Sequence, residues 1–257
     1  MIRTWWEGRL AGWALPVAAL AAMLAVWEGA VRWRETPAWL LPPPTAIAQA
    51  LVRDRALLWG HGLTTASETL LGLLAAVVVG VVLGAALAAS PLLSRALSPL
   101  VVGSQAVPIV AIAPLLVIWF GYGLLPKVLV TALVAFFPIA IAWSDGLRAT
   151  DRDLLSLVAA SGAGRWRQFW LVAAPGALPA LWSGVRMGAS VAVIGAVFGE
   201  LVGSSGGLGY LMTRSMATFQ TDRVFAALVV LAALALAIYG LVAALERATT
   251  AWRWQQR

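Results

Sequence analysis

The stretch LLGLLAAVVVGVVLGAALAA, which is Leu70–Ala89, contains no charged residue. It is as long as the roughly 20 apolar residues that a helix needs to cross the hydrocarbon core of a membrane. A second run of this kind is Val224–Leu245. Hydrophobic residues make up 61% of the chain, charged residues make up 11%, and the mean hydropathy is +0.88. The sequence therefore predicts a protein whose main solvent is lipid.

Six apolar segments can be marked along the 257 residues. They are Trp13–Ala30, Ala66–Ala89, Leu97–Trp119, Leu125–Trp143, Leu181–Val202 and Val224–Leu245. The runs are continuous and lack the alternation of barrel strands, so helices are favoured. We therefore predict an all-α, polytopic integral membrane protein with six transmembrane helices in a single domain, residues 1–257. Arg3 and Arg9 precede the first segment, as in a signal peptide or a first span, and because Glu28-Gly29-Ala30 is a poor cleavage site we expect an uncleaved signal anchor.

Prolines and glycines distinguish two of these segments. The third carries Pro99, Pro108 and Pro114, and each proline lacks an amide donor, so we expect this helix to be kinked or broken. Broken helices line cavities more often than they face lipid. The second segment repeats small residues on one helical face, which predicts close helix packing; they are Gly72, Ala76, Gly80, Gly84 and Ala88.

The basic residues lie between the apolar segments and not on one polar surface, which argues against nucleic acid as a partner despite the net charge of +7. With both termini in the cytoplasm, ten basic residues fall on the inner side and seven, including Lys127, on the outer side. This bias predicts cytoplasmic termini. The chain has no cysteine, and its one histidine, His61, has no companions at metal-ligand spacing. We expect no metal site, and we expect His61 to lie in a loop or at an interface.

The connection Gly146–Ala180 is predicted to be structured. Leu154, Leu155, Val158 and Ala159 fall at helical spacing, Asp151 or Asp153 can begin this helix, and Gly162 and Gly164 can end it. A second short helix, Arg165–Leu171, is expected to end at Pro175 and Pro179. Its exposed residues are expected to be Arg165, Trp166, Arg167, Phe169 and Trp170. The hairpin suits either a lipid headgroup surface or a groove on a soluble partner.

Several motifs in this order resemble one protein family. GAGRWRQFWLVAAPGALP (Gly162–Pro179) resembles the core of the cytoplasmic "EAA" loop in permease subunits of ATP-binding-cassette (ABC) importers. Further matches point to the nitrate/sulfonate/taurine branch: LPPPTAI (41–47), APLLVIWFGYG (113–123), FFPI (136–139), LPALWSGVRMG (178–188) and GELVGSSGGLGYL (199–211). The resemblance covers nearly the whole chain. The acidic residue of the family's triplet is missing, because the triplet falls on Ser156-Leu157-Val158.

The resemblance implies the fold and role of a type I ABC importer permease in a bacterial inner membrane. It implies that residues 146–180 are a cytoplasmic coupling loop for two ATPase subunits, that a periplasmic or extracellular binding protein delivers the solute, and that a second permease copy completes a homodimer. The coupling residues it implies are Leu155, Val158, Ala159, Gly162, Ala163, Arg165, Trp166, Phe169, Pro175 and Pro179. We expect a path or gate around Pro108, Pro114, Trp119 and Glu200.

The branch imports nitrate, sulfonates, taurine, bicarbonate and heterocyclic or vitamin-precursor compounds. The chain contains no G-x-x-x-x-G-K-[ST] phosphate loop, so we expect it to be no ATPase, with no cofactor of its own and ATP bound by the partner. An ion-coupled carrier is an alternative, but it would need several ionisable residues inside the spans, and Glu200 is the one predicted there. Glu200 either serves function or has a structural role, pairing with an arginine such as Arg214 or capping the GSSGGLG turn.

A second alternative is an intramembrane protease. Gly203-Ser204-Ser205-Gly206 matches a rhomboid-type nucleophile pattern. That chemistry needs a histidine base within reach, and the only histidine, His61, lies far upstream of the serines. We therefore expect no catalytic residues and interpret the glycines as a turn.

Overall fold

The computed structural model describes the backbone of residues 4–250 and the side chains of residues 15–250. Eleven α-helices and no strand occur in this described part. The helices are α1 Thr4–Trp33, α2 Pro44–Arg53, α3 Arg55–Ala89, α4 Pro91–Gly103, α5 Ile109–Phe120, α6 Leu124–Arg148, α7 Arg152–Ala160, α8 Arg165–Gln168, α9 Ala174–Gly203, α10 Leu208–Ala217 and α11 Thr221–Thr249. The all-α prediction is confirmed.

Five helical stretches are long and apolar enough to cross a membrane: Leu15–Trp33, Arg55–Ala89, Leu124–Arg148, Arg165–Gly203 and Thr221–Thr249. The third predicted segment is broken, as its prolines predicted. Pro91–Ala106 and Ile109–Phe120 meet at 98°, and Pro108 is the N-cap residue of α5. Counted as one span, this bent pair gives six spans among the described residues.

The prediction that Pro175 and Pro179 end the second loop helix is wrong. The helix continues from Arg165 to Gly203, so the fifth span begins well before the predicted Leu181. A π-helical turn at Phe169–Ala173 precedes Pro175. The wider turn lets the amide of Ala174 bond to the Phe169 carbonyl, which leaves room for a residue that has no amide hydrogen.

Glycines bring α3 and α9 close to α6. A Cβ added at Gly80 would lie 2.8 Å from the Ile139 side chain, and one at Gly84 would lie 2.5 Å from the Ala140 carbonyl oxygen. On α9, a Cβ at Gly195 would lie 2.8 Å from the backbone of Thr131. The predicted small-residue stripe of α3 is therefore a helix-packing surface, and a second stripe on α9 contacts the same partner helix.

The chain groups into two compact units, residues 60–210 with 230–257 and residues 1–59 with 211–229. The larger unit contains a small apolar cluster of α5, α6 and α9 built on Ala113, Leu116 and Val130. Ion pairs hold the smaller unit together.

In the smaller unit Asp54 accepts hydrogen bonds from Arg53 and Arg223, and Arg53 also pairs with Asp222 at 2.9 Å. The hydrogen bonds from Arg53 and Arg223 lower the pKa of Asp54 from its ordinary value of 3.8 to about 2. Asp54 also raises the pKa of the Arg53 guanidinium. These ion pairs join the α2–α3 junction to the start of α11.

Candidate coupling segment and polar cluster

The segment after α6 forms a capped helix and a sharp turn. Asp151 is the N-cap of α7 and accepts a hydrogen bond from the Asp153 amide at 2.8 Å, as one of the two predicted start residues. At the other end the amide of Gly162 bonds to Ala159 and the amide of Ala163 bonds to Val158. This is the Schellman pattern, and Gly162 adopts the left-handed φ of +82° that the pattern requires.

The capped helix exposes an apolar surface on the larger unit. No residue of α7 is buried, and Leu154 and Leu157 are 50% and 65% exposed. Of the predicted coupling residues on α7, Leu155 and Val158 are half-buried whereas Ala159 is exposed. The exposed leucines of α7, Leu154 and Leu157, are thus only partly the residues that the helical spacing predicted.

The turn after α7 presents aromatic and basic residues together. Trp166 is 72% exposed and stacks on Phe169 with ring centroids 6.0 Å apart, and Trp170 packs edge-on against both rings. Arg165 is exposed beside them. Ala163 and Pro179 are half-buried and Pro175 is exposed. Large apolar side chains that are packed together at a surface are typical of a contact site for another protein.

Glu200 holds the turn that follows α9. Its carboxylate accepts a hydrogen bond from the Thr65 hydroxyl at 2.6 Å and one from the Gly209 amide at 2.5 Å. Gly207, at φ +103°, lies so close that an added Cβ would collide with the Glu200 carboxylate. Glu200 is 1% exposed. The proposed capping of the GSSGGLG turn is confirmed, because the carboxylate satisfies an amide donor of that turn.

A buried ion pair lies beside Glu200, and sequence reasoning missed it. Lys127, which was predicted on the outer side at the start of the fourth segment, lies in the first turn of α6 and donates to Glu68 Oε1 at 2.6 Å, with side chains 9% and 2% exposed. The other Glu68 oxygen accepts no hydrogen bond from a described residue, although its carboxyl lies near enough to Glu200 to interact electrostatically. Glu200 is therefore not the only buried acidic residue of the spans.

A sequence signal for this pair existed. Glu68 and Lys127 are the third residues of the second and fourth predicted segments, Ala66–Ala89 and Leu125–Trp143. Opposite charges at the ends of two spans that meet can pair. We call Thr65, Glu68, Lys127 and Glu200 the polar cluster.

His61 also belongs to this region; of its two predicted positions, a loop or an interface, the loop is wrong. It lies in α3, and its Nδ1 accepts a hydrogen bond from the Gly207 amide at 3.0 Å. Ser204 Oγ donates to the Gly206 carbonyl and accepts from the Gly206 amide. These three contacts hold the turn together, and none of them is a bond between histidine and serine of the kind a nucleophile needs.

Three of the four predicted gate residues lie on or next to α5. Pro108 is exposed, Pro114 is half-buried inside the helix, and Trp119 is 68% exposed. Ile118, Phe120 and Tyr122 next to Trp119 are 75%, 51% and 82% exposed. The structure therefore brings Glu200 into the polar cluster, whereas the other three predicted gate residues, Pro108, Pro114 and Trp119, lie on or next to α5.

The helices and the capped loop define a class: a multi-pass membrane protein whose long helix α9 continues directly from an exposed loop. Residues 70–251 match the model of the family described as binding-protein-dependent transport system inner membrane component. The chain belongs to this family, so it is a permease subunit of an ABC importer. The family expected from the sequence is confirmed. Because the chain belongs to it, the alternative of an ion-coupled carrier no longer applies.

Two relatives and one solved structure illustrate the match. The riboflavin transport system permease protein RibX of Chloroflexus aurantiacus is 42% identical over 93% of this chain and 89% of its own length. The formylaminopyrimidine transport permease protein ThiX of Halalkalibacterium halodurans is 34% identical over 94% and 96%. An inward-facing structure of the MetNI methionine ABC transporter shares the fold, with a TM-score of 0.61, 23% identity and coverage of 79% and 97%.

Proposed function

We propose that this chain forms, as a homodimer, the membrane path of an importer that is driven by two separate ATPase subunits. The ATPases bind and hydrolyse ATP, because the chain has no phosphate loop. A solute-binding protein delivers the solute on the other side of the membrane. ATP binding draws the ATPases together, and the docked coupling segments move the spans.

The observation that carries this proposal is the capped helix α7 with its aromatic turn. Leu154, Leu157 and Trp166 are exposed, so they are available to a partner's groove. The Schellman turn at Gly162 fixes the angle between α7 and α8. Since α8 continues through the π-helical turn into the spanning helix α9, a push on the turn acts directly on α9.

We infer that the solute is small and polar. The relatives are named for transport of riboflavin and formylaminopyrimidine, and the motifs of this chain also resemble permeases for taurine and sulfonates. The exposed apolar residues of α5, including Ile118 and Trp119, are proposed to pack against the second copy. The break at Pro108 is proposed to lie beside the path.

We propose that both termini lie in the cytoplasm, which puts α7 on the side of the ATPases. Tyr122 and Ser156 flank the spanning helix α6 and are both exposed. In this cysteine-free chain, Tyr122→Cys should react with an impermeant thiol reagent only from outside, and Ser156→Cys only from inside. Reaction of both from one face contradicts the orientation.

The docking of the ATPase is tested with exposed leucines. The tagged chain is co-expressed with the ABC ATPase encoded nearest to it in its genome, and recovery of the ATPase in detergent is measured. Leu157→Ser and Trp166→Ala should each reduce recovery about tenfold, because they remove apolar anchors worth roughly 1–2 kcal/mol. Leu40→Ser changes a leucine that is similarly exposed, at 61% against 65% for Leu157, outside the coupling segment. If all three variants retain the ATPase equally, the docking assignment fails.

A further inference from the structure

Two buried carboxyl groups of the larger unit lie side by side. Glu68 of α3 is 2% exposed and Glu200 of α9 is 1% exposed, and their carboxyl groups are within hydrogen-bonding reach of each other. Thr65, whose hydroxyl bonds to Glu200, lies one turn before Glu68 on the same face of α3. A Cβ added at Gly199, the residue before Glu200, would lie 3.0 Å from the Cα of Lys127. The two carboxyl groups therefore lie where α3, α6 and α9 meet.

Neither carboxylate has a donor to offer the other, because an ionised carboxylate only accepts hydrogen bonds. Glu68 Oε1 accepts from the ammonium group of Lys127. The Glu200 carboxylate accepts from the Thr65 hydroxyl and the Gly209 amide. Glu68 Oε2 is buried and has no hydrogen-bond partner among the described residues. One proton between the two carboxyl groups supplies the missing donor and satisfies this oxygen.

The charges of the three groups lead to the same count. Glu68 and Glu200 bring two potential negative charges, and Lys127 brings one positive charge. All three side chains are less than 10% exposed, so the surrounding medium screens charge poorly. Two carboxyl groups in contact do not both ionise readily under these conditions. With one shared proton the three groups together have no net charge.

A cavity of about 360 Å³ adjoins the site, and Lys127 belongs to its lining together with Tyr122, Gly123 and the turn Gly203–Ser205. Because Lys127 also bonds to Glu68, the cavity is one side chain away from the carboxyl pair, and proton exchange with solvent needs no unfolding. Other titratable side chains of this region are Tyr122 and His61, whose ring lies 6.0 Å from that of Tyr210. None of these three has a carboxyl group.

We propose that Glu68 and Glu200 form a proton-binding site that holds one proton between their carboxyl groups at neutral pH, with Lys127 balancing the remaining negative charge. The bound proton joins α3 to α9, because each helix supplies one carboxyl group. A movement that separates these two helices exposes both carboxyl groups to water and releases the proton. The contact between the two spans thus depends on protonation.

Infrared spectroscopy detects the carbonyl stretch of a protonated carboxyl group. The full-length chain is measured at pH 7 in dodecyl maltoside, a detergent without a carbonyl group. We expect one such band in the wild type. It should shift in D₂O, unlike the ester bands of residual lipid. The band should be lost in both Glu68→Gln and Glu200→Gln, because either carboxylate left alone with Lys127 stays ionised. Glu246→Gln removes a carboxylate that pairs with Arg186 at 3.2 Å and, as the matched control, should keep the band.

Three results would overturn the proposal. Absence of the band from the folded wild type would mean that both carboxyl groups are ionised. A band that survives in Glu68→Gln would belong to Glu200 by itself, so that no proton is shared. A band that disappears when choline chloride is replaced by sodium chloride would assign the site to a metal cation. Size-exclusion chromatography checks that each variant is folded.

The stability of Glu68→Gln gives an independent test. Its amide oxygen still accepts from Lys127 and its amide nitrogen donates to Glu200, so a permanent donor replaces the shared proton. We expect its melting temperature at pH 7 to lie within about 5 °C of the wild type. Glu68→Met, which offers neither group, should lose more. If Lys127 depended on the charge of Glu68 alone, Glu68→Gln would leave the ammonium unpaired, and a loss above about 5 °C would overturn the proposal. Neither test involves an ATPase, so a failure here is distinguishable from a failure of the docking test.

Discussion

Lys127 Nζ lies 2.6 Å from Glu68 Oε1, and this contact joins α6 to α3 inside the larger unit. Both side chains are less than 10% exposed, at 9% and 2%, so each charge depends on the other for stabilisation. The pair lies next to the Glu200 carboxylate that holds the turn after α9. Three helices and one turn are thus linked through four polar side chains, those of Thr65, Glu68, Lys127 and Glu200.

Breaking this pair on one side should cost more than removing it. Lys127→Met leaves a buried carboxylate without its partner and should destabilise the protein by about 3–5 kcal/mol, whereas the double variant Glu68→Met/Lys127→Met should lose much less. Thermal unfolding in detergent, followed by size-exclusion chromatography, gives the comparison. If the loss of stability in the double variant equals the sum of the losses in Lys127→Met and Glu68→Met, the two charges do not depend on each other.

The backbone of the turn after α9 should tolerate no side chain at Gly207. Gly207→Ala places a methyl group against the Glu200 carboxylate in a left-handed conformation, so we expect a loss of about 1–3 kcal/mol. Gly206→Ala is the matched control, because its Cβ would come no closer than 3.8 Å to the side chain of Thr64. Equal melting temperatures for the two variants contradict the close approach.

Two substitutions at Gly162, in the turn of the coupling segment, should distinguish backbone strain from contact with the ATPase. Gly162 has φ +82° and open space around it, so Gly162→Asn, which tolerates this φ best among non-glycine residues, should fold with a small loss of stability. Gly162→Val should lose about 1–2 kcal/mol more, because a β-branched residue is strained there. If the turn also contacts the ATPase, both variants should reduce ATPase recovery. Recovery that falls only with Gly162→Val would assign the effect to strain alone.

The ion pairs of Asp54 in the smaller unit should make the stability of the folded chain depend on pH. The pKa of Asp54 is lowered to about 2 by Arg53 and Arg223, so its ion pairs stabilise the folded chain fully above the ordinary value of 3.8 and lose their effect as pH falls through about 2. Asp54→Asn should therefore lower the melting temperature by a few degrees at pH 6. The difference from wild type should shrink between pH 4 and pH 2. A difference that is constant with pH contradicts a role for the Asp54 charge.

The local sequence was sufficient to predict the structure wherever a few neighbouring residues determine it. The apolar run Leu70–Ala89, the break at Pro108 and the cap at Asp151 were predictable, because length, a missing amide and a capping oxygen act within a few residues. The left-handed Gly162 followed in the same way from its place after a helix. Pro175 was misjudged because a π-helical turn upstream accommodates it, and the local pattern contains no sign of that turn. Pro179 lies inside α9 and does not end the helix.

The amino-acid sequence by itself determined that this chain is an all-helical membrane protein of the importer-permease family, since hydropathy and ordered motifs are properties of the chain. Tertiary structure alone decided that Lys127 is buried against Glu68, that His61 and Glu200 hold one turn, and that Lys127 contributes to a cavity wall. The physical reason is that the energy of a charge depends on what surrounds it. Residues 59 positions apart, such as Glu68 and Lys127, become neighbours only when their helices pack.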